Sequence, residues 1–368
     1  MYPTKAIIDL KNLKNNFLNI RKKVKKTKVL AVVKADCYGH GVKGVVEALN
    51  TLGDKKPDFF GVATYDEGAE VRKLKVAQPI LVFAPVNNDV LPDIIKHNLS
   101  LTLTSAEQVK ILEKIPKGKK VKLHFKIDTG MGRLGLEHDN AVDIIEKVSK
   151  MKNVVIEGIY SHFASSDEKD KTFTYLQLER FNKVLSECRS RKIEYGVAHI
   201  ANSAAILEVP ESYLDMVRLG ITLYGYYPSA EMTETVKVKP VMSIVSSVAS
   251  VKRIHKGDSV SYNRRYFAPK DTTVITVSAG YADGISRGLT NKLSAIIKGK
   301  LYPGAGAVTM DRIMFVVGDE KIKTGDEVIL IGSTRGKTIT AWDWAKILNT
   351  IPYEVTCGIS KRVPRIYR

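Results

Sequence analysis

From residue 29 to about residue 225, short β-rich runs alternate with longer helical stretches, and this rhythm constrains the fold more than any other feature. The runs are VLAVVK (29–34), FFGVAT (59–64), PILVFA (79–84), SLTLT (100–104), VKLHFKID (121–128), VVIEGIYSH (154–162), GVAHIAN (196–202) and DMVRLG (215–220). Between them lie helical patterns such as NDVLPDIIKHN (88–98), DNAVDIIEKVSKM (139–151) and TYLQLERFNKVLSECRSRK (174–192). Strands that alternate with helices lie parallel, joined by right-handed crossovers. Eight such units in this span fit a closed (β/α)8 barrel. An open doubly wound sheet is the competing architecture, but no G-x-G-x-x-G follows the first strand.

The texture changes at about residue 232. VKVKPVMSIVSSVASVKRI (236–254), DTTVITVS (271–278), KLSAIIKG (292–299), RIMFVVG (312–318) and DEVILIG (326–332) read as strands separated by turns such as KGD and KTGD. One helical piece, TAWDWAKILNTI (340–351), interrupts them. At 368 residues the chain is too long for one ordinary core. The expected fold is α/β: a (β/α)8 TIM barrel over 11–231, then a mostly β domain over 232–368. AIIDL (6–10) precedes the barrel rhythm, and residues 1–10 are expected to join the β domain.

Charge raises one alternative. Lys and Arg total 58 against 39 Asp and Glu, a formal charge of +19. The densest run, RKKVKKTK (21–28), continues a helix whose apolar positions Leu10, Leu13, Phe17, Ile20 and Val24 step by three and four. Its basic residues fall largely on the other face, as on a solvated helix. No aromatic-basic RNA-binding signature appears, so no nucleic-acid partner is expected, although the charge can draw in anionic ligands. No apolar stretch reaches membrane-spanning length, and MYPTKAIIDLKNLKNN does not read as a signal peptide. Cys37, Cys188 and Cys357 are few and far apart, which suits a reducing compartment and no metal cluster. The expected location is cytoplasmic, with no membrane partner.

In a barrel of this kind the C-terminal strand ends and the loops after them form the active site. Strand one ends in Lys34; strand five runs into KIDTGMGRLG with Lys126 and Arg133; strand six ends in His162. Strand seven runs into Asn202-Ser203, and strand eight carries Arg218 before Gly220-Ile221. A hydroxyl after strand seven and free N–H groups after strand eight make a phosphate cradle. A lysine facing that cradle points to pyridoxal 5′-phosphate, because a desolvated amine near other cations loses its proton and can form a Schiff base.

Taken together, AVVKADCYGHG, KIDTGMGRLG, YSHFASSDE, HIANSAA, VRLGITLYG, VSYN, GYADG, the MD of VTMDR, and RVPR span residues 31–365. In that order they resemble the bacterial alanine racemases, pyridoxal-phosphate enzymes of the barrel-plus-β-domain class. The resemblance implies interconversion of L- and D-alanine, with D-alanine supplied for peptidoglycan. Lys34 would hold the cofactor as a Schiff base and act on one face of the substrate α-carbon. Tyr262, in VSYN, would act on the other face from the partner subunit of a homodimer. Racemisation needs one group to remove the proton and another to return it from the opposite side, and a tyrosine with pKa of roughly 10 needs help from its surroundings.

His162 and Arg218 match the network that supplies this help. Arg218 also matches the residue facing the pyridine nitrogen, which an always-charged guanidinium keeps unprotonated. Tyr38, Ser203, Gly220 and Ile221 match phosphate contacts. Arg133 matches an arginine near the cofactor's phenolic oxygen and the substrate carboxylate. Lys126 matches a lysine often N-carbamylated in the family. Met310 and Asp311 match substrate-side residues from the second subunit, and Tyr281 one that narrows the entrance.

Two departures bear on specificity. Lys361 stands where many members have a phosphate-binding tyrosine before RVPR, and Thr309 precedes Met310 where cysteine is usual. They leave open a serine or broad-specificity racemase of the same family. His40 and His199 read as structural, Cys37 as a small buried filler, and Trp342 and Trp344 as packing. GSTRGKT (332–338) is one residue short of a phosphate loop and reads as a turn.

Overall fold

The computed structural model describes residues 2–368. The chain divides into two compact units, one formed by Leu13–Cys37 and Val42–Lys239, the other by Met1–Asn12, Tyr38–Gly41 and Pro240–Arg368.

In the first unit eight parallel strands form a nearly closed barrel. They are Lys28–Val32, Phe59–Val62, Ile80–Pro85, Ser100–Leu103, Val121–Asp128, Val154–Tyr160, Val197–His199 and Met216–Leu219. The first seven pair in sequence order, and the eighth pairs with the first in register Arg218↔Leu30. Among the described residues, no ladder joins the seventh to the eighth. Isolated bonds close the ring there: Asp215 N–H to Ala198 O (3.1 Å), Ala198 N–H to Asp215 Oδ2 (2.8 Å) and Arg218 N–H to Ala201 O (2.9 Å).

The helix Leu10–Val24 shows why the sequence pattern works. Leu13, Phe17, Ile20 and Val24 are buried on one face, and Arg21, Lys22 and Lys23 fill the last turn, where positive charge opposes the helix dipole. Arg21 pairs with Asp58 at 2.6 Å. Residues 232–239 stay with the barrel unit rather than the β unit. Asn16 holds both the N–H (2.9 Å) and the carbonyl (2.8 Å) of Lys239, and Asn19 bonds Lys237 O at 2.9 Å.

The second unit is built on the long strand Met242–Ile254. It pairs antiparallel with Thr272–Val277, with Glu327–Thr334 and with the N-terminal strand Lys5–Ile8. The C-terminal Arg365–Tyr367 lies parallel against that same N-terminal strand. The N-terminal strand therefore extends the β sheet. GSTRGKT is a hairpin turn, with Thr334↔Lys337 paired and Arg335 and Gly336 both at positive φ, the conformation that matches strand twist. The expected helical piece at 340–351 is the helix Ala341–Leu348, and a second helix, Pro352–Cys357, follows beyond it. Ala341–Leu348, capped by Thr340 with Asp343, stops at left-handed Asn349, and Pro352–Cys357 restarts with proline in its first turn.

After the first barrel strand the chain does something no glycine announces. Ala35, Asp36, Cys37 and Tyr38 all sit at φ between 51° and 56°, a left-handed helical turn made of four side-chain-bearing residues. Left-handed helix costs each such residue roughly 1–2 kcal/mol, so the turn stores about 4–8 kcal/mol. Local bonds hold it. Glu67 accepts from Ala35 N–H (2.7 Å) while also accepting from Ala63 N–H (2.7 Å), and Asp36 accepts from Val42 N–H (2.8 Å). Gly39 then follows at φ +83°, where a Cβ would lie 2.1 Å from the carbonyl oxygen of Thr356.

Candidate active site

Most of the expected site residues lie in the barrel unit. Lys34 is half-buried at the end of the first strand, where the left-handed turn begins. Arg218, on the eighth strand, is 3% exposed. Its guanidinium donates to acceptors at and just beyond the ends of the sixth and seventh strands. Nη1 donates to His199 Nδ1 (2.8 Å) and His199 O (3.1 Å). Nη2 donates to Ser161 O (2.6 Å), His162 Nδ1 (2.9 Å) and Ile200 O (3.0 Å). The guanidinium also lies 5.3 Å over the ring of Tyr160. Burial lowers its pKa to about 10, so it remains charged at neutral pH.

Two nitrogens that accept from Arg218 belong to histidines, which must therefore be unprotonated at those atoms. The wider surroundings agree. Burial, then the charges of Arg218, Lys126, Arg133 and Lys34, hold His162 well below the ordinary imidazole value. Four cations felt at one imidazole make this end of the barrel electropositive.

Lys126 lies inside the fifth strand, 5% exposed, and donates to Ile127 O at 2.8 Å. Burial and the charge of Arg218 bring its pKa down to about 7. Asp128, two residues on, spends Oδ1 on the N–H groups of Gly130, Met131 and Gly132 at 2.8, 2.9 and 3.2 Å. This cap shapes the loop carrying Arg133, which is exposed. After the seventh and eighth strands, Ser203 Oγ accepts from Gly220 N–H at 2.9 Å, so Ser203, Gly220 and Ile221 form one backbone-lined corner.

The remaining expected residues lie in the other unit. Tyr262, Tyr281, Met310 and Asp311 line one depression of ≈ 640 Å³ together with Arg287. Tyr262 is 70% exposed and Met310 53%. Here the backbone, not the side chains, sets positions. Tyr281 N–H donates to Thr309 O (2.9 Å) and Ala282 N–H to Met310 O (3.0 Å). At Gly280 a Cβ would lie 2.3 Å from Met310 O, so only glycine allows this approach. Arg362 braces the same wall through Asp311 Oδ1 (2.6 Å) and Asp283 Oδ1 (2.8 Å), and also donates to Tyr2 OH (2.7 Å). Tyr38 is buried, 5.9 Å from the ring of Tyr353.

His199, which the sequence alone presents as structural, bonds directly to Arg218; Tyr160, the first residue of YSHFASSDE, stacks on it, and His124 and Glu157 join it without belonging to any motif. In VKLHFKID, His124 stands two places before Lys126, and a strand puts such residues on the same face. A histidine sharing a face with a buried lysine is the available signal. Tyr160 stacks on His199 with centroids 4.9 Å apart and planes 7° apart.

A barrel whose strand ends carry a lysine, a locked arginine and a hydroxyl-backed corner, with a β unit in the same chain, defines a barrel enzyme suited to an anionic cofactor. Comparison with known proteins agrees with this class. The alanine racemase N-terminal domain model matches residues 8–228 and the C-terminal domain model residues 241–367. The chain is 41% identical over 370 residues to alanine racemase 2 of Caldanaerobacter subterraneus subsp. tengcongensis, covering 99% of this chain and 95% of that one. It is 42% identical over 371 residues to the alanine racemase of Clostridium tetani, with the same coverage. Its structure is similar to that of the Clostridium difficile 630 alanine racemase, with TM-score 0.94 and 36% identity over 100% of this chain and 96% of that one. The Bacillus anthracis alanine racemase with bound L-Ala-P gives TM-score 0.93 at 31% identity, over 100% and 95%. The chain belongs to the alanine racemase family of pyridoxal-phosphate-dependent isomerases. Among the described residues no helix is long and apolar enough to cross a membrane.

Proposed function

We propose that this chain interconverts L- and D-alanine on pyridoxal 5′-phosphate, in the cytoplasm, as a homodimer with shared active sites, and so supplies D-alanine for peptidoglycan. The observation that carries the reading is the cationic set of Lys34, Arg133 and Arg218 around His162, at the strand ends of the barrel. Such a donor set fits a cofactor that bears a phosphate and a phenolate, together with a substrate carboxylate.

Lys34 would bind the cofactor covalently, with the hydroxyl of Ser203, the N–H of Ile221 and Tyr38 taking the phosphate, and with the N–H of Gly220, which donates to Ser203 Oγ, holding that hydroxyl in place. When bound, the cofactor supplies a conjugated ring that spreads the electrons left at the substrate α-carbon. Arg218, charged at neutral pH, would keep a cofactor ring nitrogen held against it unprotonated. Lys34 Nζ takes the α-proton on one face, and the hydroxyl of Tyr262 of the partner subunit serves the other. Arg133 orients the carboxylate, Met310 and Asp311 bound the substrate, and Tyr281 narrows the approach.

Lys126 fits the carbamylated lysine of the family. An amine with pKa of about 7 is largely neutral in mildly alkaline solution. Its nitrogen can attack carbon dioxide and lose a proton, giving an anion among cations. The intact-protein mass should show one added carbon dioxide that Lys126→Ala lacks.

The serine alternative finds little support at Thr309, whose hydroxyl donates to Arg312 O (2.9 Å) and accepts from Arg312 N–H (3.0 Å). The deciding experiment supplies pyridoxal phosphate with L-alanine or L-serine in deuterated water. Loss of optical rotation with deuterium at the α-carbon of alanine is the expected result. Faster turnover of serine would move the function to the alternative, and exchange of neither would overturn both.

A further inference from the structure

The interior of the barrel contains a hydrogen-bonded line that the reaction as described does not use. It runs from Arg218 to His199 Nδ1 (2.8 Å), from His199 Nε2 to His124 Nδ1 (3.0 Å), and from His124 Nε2 to Glu157 Oε2 (3.3 Å). Both imidazoles have no exposed surface. Glu157 is 14% exposed, receives a hydrogen bond from Ser100 and lies 3.2 Å from Lys122 Nζ.

Its two ends differ in kind. A guanidinium can only donate and a carboxylate can only accept. Two neutral imidazoles between them have one arrangement in which every contact joins a donor to an acceptor. His199 must carry its proton on Nε2 and His124 on Nε2, so that all three bonds point from Arg218 towards Glu157. Any other arrangement sets two donors or two acceptors against each other in a buried place, which is costly. The charge states agree with this order. Burial lowers both histidine pKa values. Burial opposes the charge of Glu157, but the bonds from His124 and Ser100 outweigh it and hold the carboxyl at about 2.

Two local features make room for the line. Between the fifth and sixth strands Leu123 pairs with Ile156 while His124 pairs with Gly158, so Glu157 is an extra residue in a bulge. A bulge re-aims the side chain it carries. At Gly158 a Cβ would lie 2.3 Å from His124 Nδ1, so glycine leaves space for the ring.

We infer that Glu157 is a positioning residue: by accepting from His124 at one end, as Arg218 donates at the other, it holds the tautomers of His124 and His199 that leave His199 Nδ1 open to the Arg218 guanidinium, and so keeps that guanidinium aimed in the active site. The kinetic part of this inference rests on the proposed racemase function, whereas the tautomers do not.

The test is nitrogen NMR of the histidine rings in full-length protein labelled with 15N-histidine, with and without pyridoxal phosphate, beside racemase kinetics. In the wild type at neutral pH, His124 and His199 are expected neutral and protonated at Nε2. Either ring protonated at Nδ1, or charged, overturns the proposal without any variant. In Glu157→Gln the amide can turn its NH2 group towards His124 Nε2; the reversed order then sets His199 Nδ1–H against the Arg218 guanidinium, which only donates, and that clash pushes the guanidinium aside. A mixture of tautomers is expected there, with kcat down about tenfold and KM for L-alanine within about twofold. Unchanged tautomers in Glu157→Gln overturn the proposal, as does a full mixture with unchanged kcat. A purely structural Glu157 would lower the melting temperature and leave tautomers and kcat alone. If the wild type shows the expected tautomers but racemises nothing, the racemase reading fails and the tautomer assignment stands. If it racemises alanine with the wrong tautomers, the assignment fails and the racemase reading stands.

Discussion

The two units prepare their functional residues in opposite ways. In the barrel, Arg218, His162 and His199 are fixed by side-chain bonds to one another and to strand carbonyls. In the β unit, Tyr262 and Met310 stand exposed, and the backbone of Gly280–Ala282 laid against Thr309–Met310 sets their neighbourhood. A buried charge network must be complete within its own chain, because any unpaired member is costly. A backbone-set rim can present side chains outward and leave their partners to another molecule. The barrel residues should therefore tolerate few substitutions in any context, while Tyr262 and Met310 should depend on the proposed assembly.

The sharpest test of that contrast is at the two proposed proton carriers. Lys34→Ala is expected to lower racemisation by about 10⁴-fold or more and to abolish the visible absorbance of added pyridoxal phosphate. Tyr262→Phe should lose about 10²–10⁴-fold in rate while keeping that absorbance. Mixing the two inactive variants after subunit exchange should restore activity, because in the proposed homodimer one of the two sites then has both residues. Absence of recovery in a demonstrated mixed dimer would break the assembly side of the comparison.

Next in size is Gly158→Ala, which drives a methyl group into the His124 ring. It should destabilise the protein by about 1–3 kcal/mol, measured by urea denaturation, and an unchanged midpoint would show that the barrel interior yields more readily than its packing implies. A pH experiment addresses Lys126. Its folded pKa is about 7 against an ordinary 10.5. Between those values the unfolded chain binds a proton that the folded chain has released, so stability should rise with pH across that window. Lys126→Met should flatten this rise in protein freed of cofactor and carbon dioxide. The smallest effect is expected at Lys361→Tyr, where cofactor affinity should change by less than about tenfold, because a lysine already offers a point charge to phosphate.

Most of the barrel is legible from periodicity, because eight buried runs can be counted without knowing how they pair. The roles of Lys34, Arg218 and His162 are legible only through strand-end position and family resemblance. The left-handed turn is not legible, since of its four residues only Asp36 enters that conformation with any ease, and bonds from residues outside the turn impose it. Glu157 is equally hidden, because a one-residue bulge changes where a side chain points without changing composition. The helix Pro352–Cys357 lies past the helical pattern at 340–351, because six residues opening on a proline carry too little periodicity to stand out.

The path of the chain carries a further consequence. Both ends of the polypeptide, and the short stretch Tyr38–Gly41, belong to the unit otherwise made from Pro240 onward. Lys5–Ile8 sits between Met242–Ile254 and Arg365–Tyr367 in one sheet. The β unit is thus no cassette that a single cut in the gene could excise or transplant. A fragment beginning at residue 240 would start life with a missing interior strand, and its bared edges would invite pairing between molecules. Fusion partners, tags and chimaeric exchanges should respect both termini together.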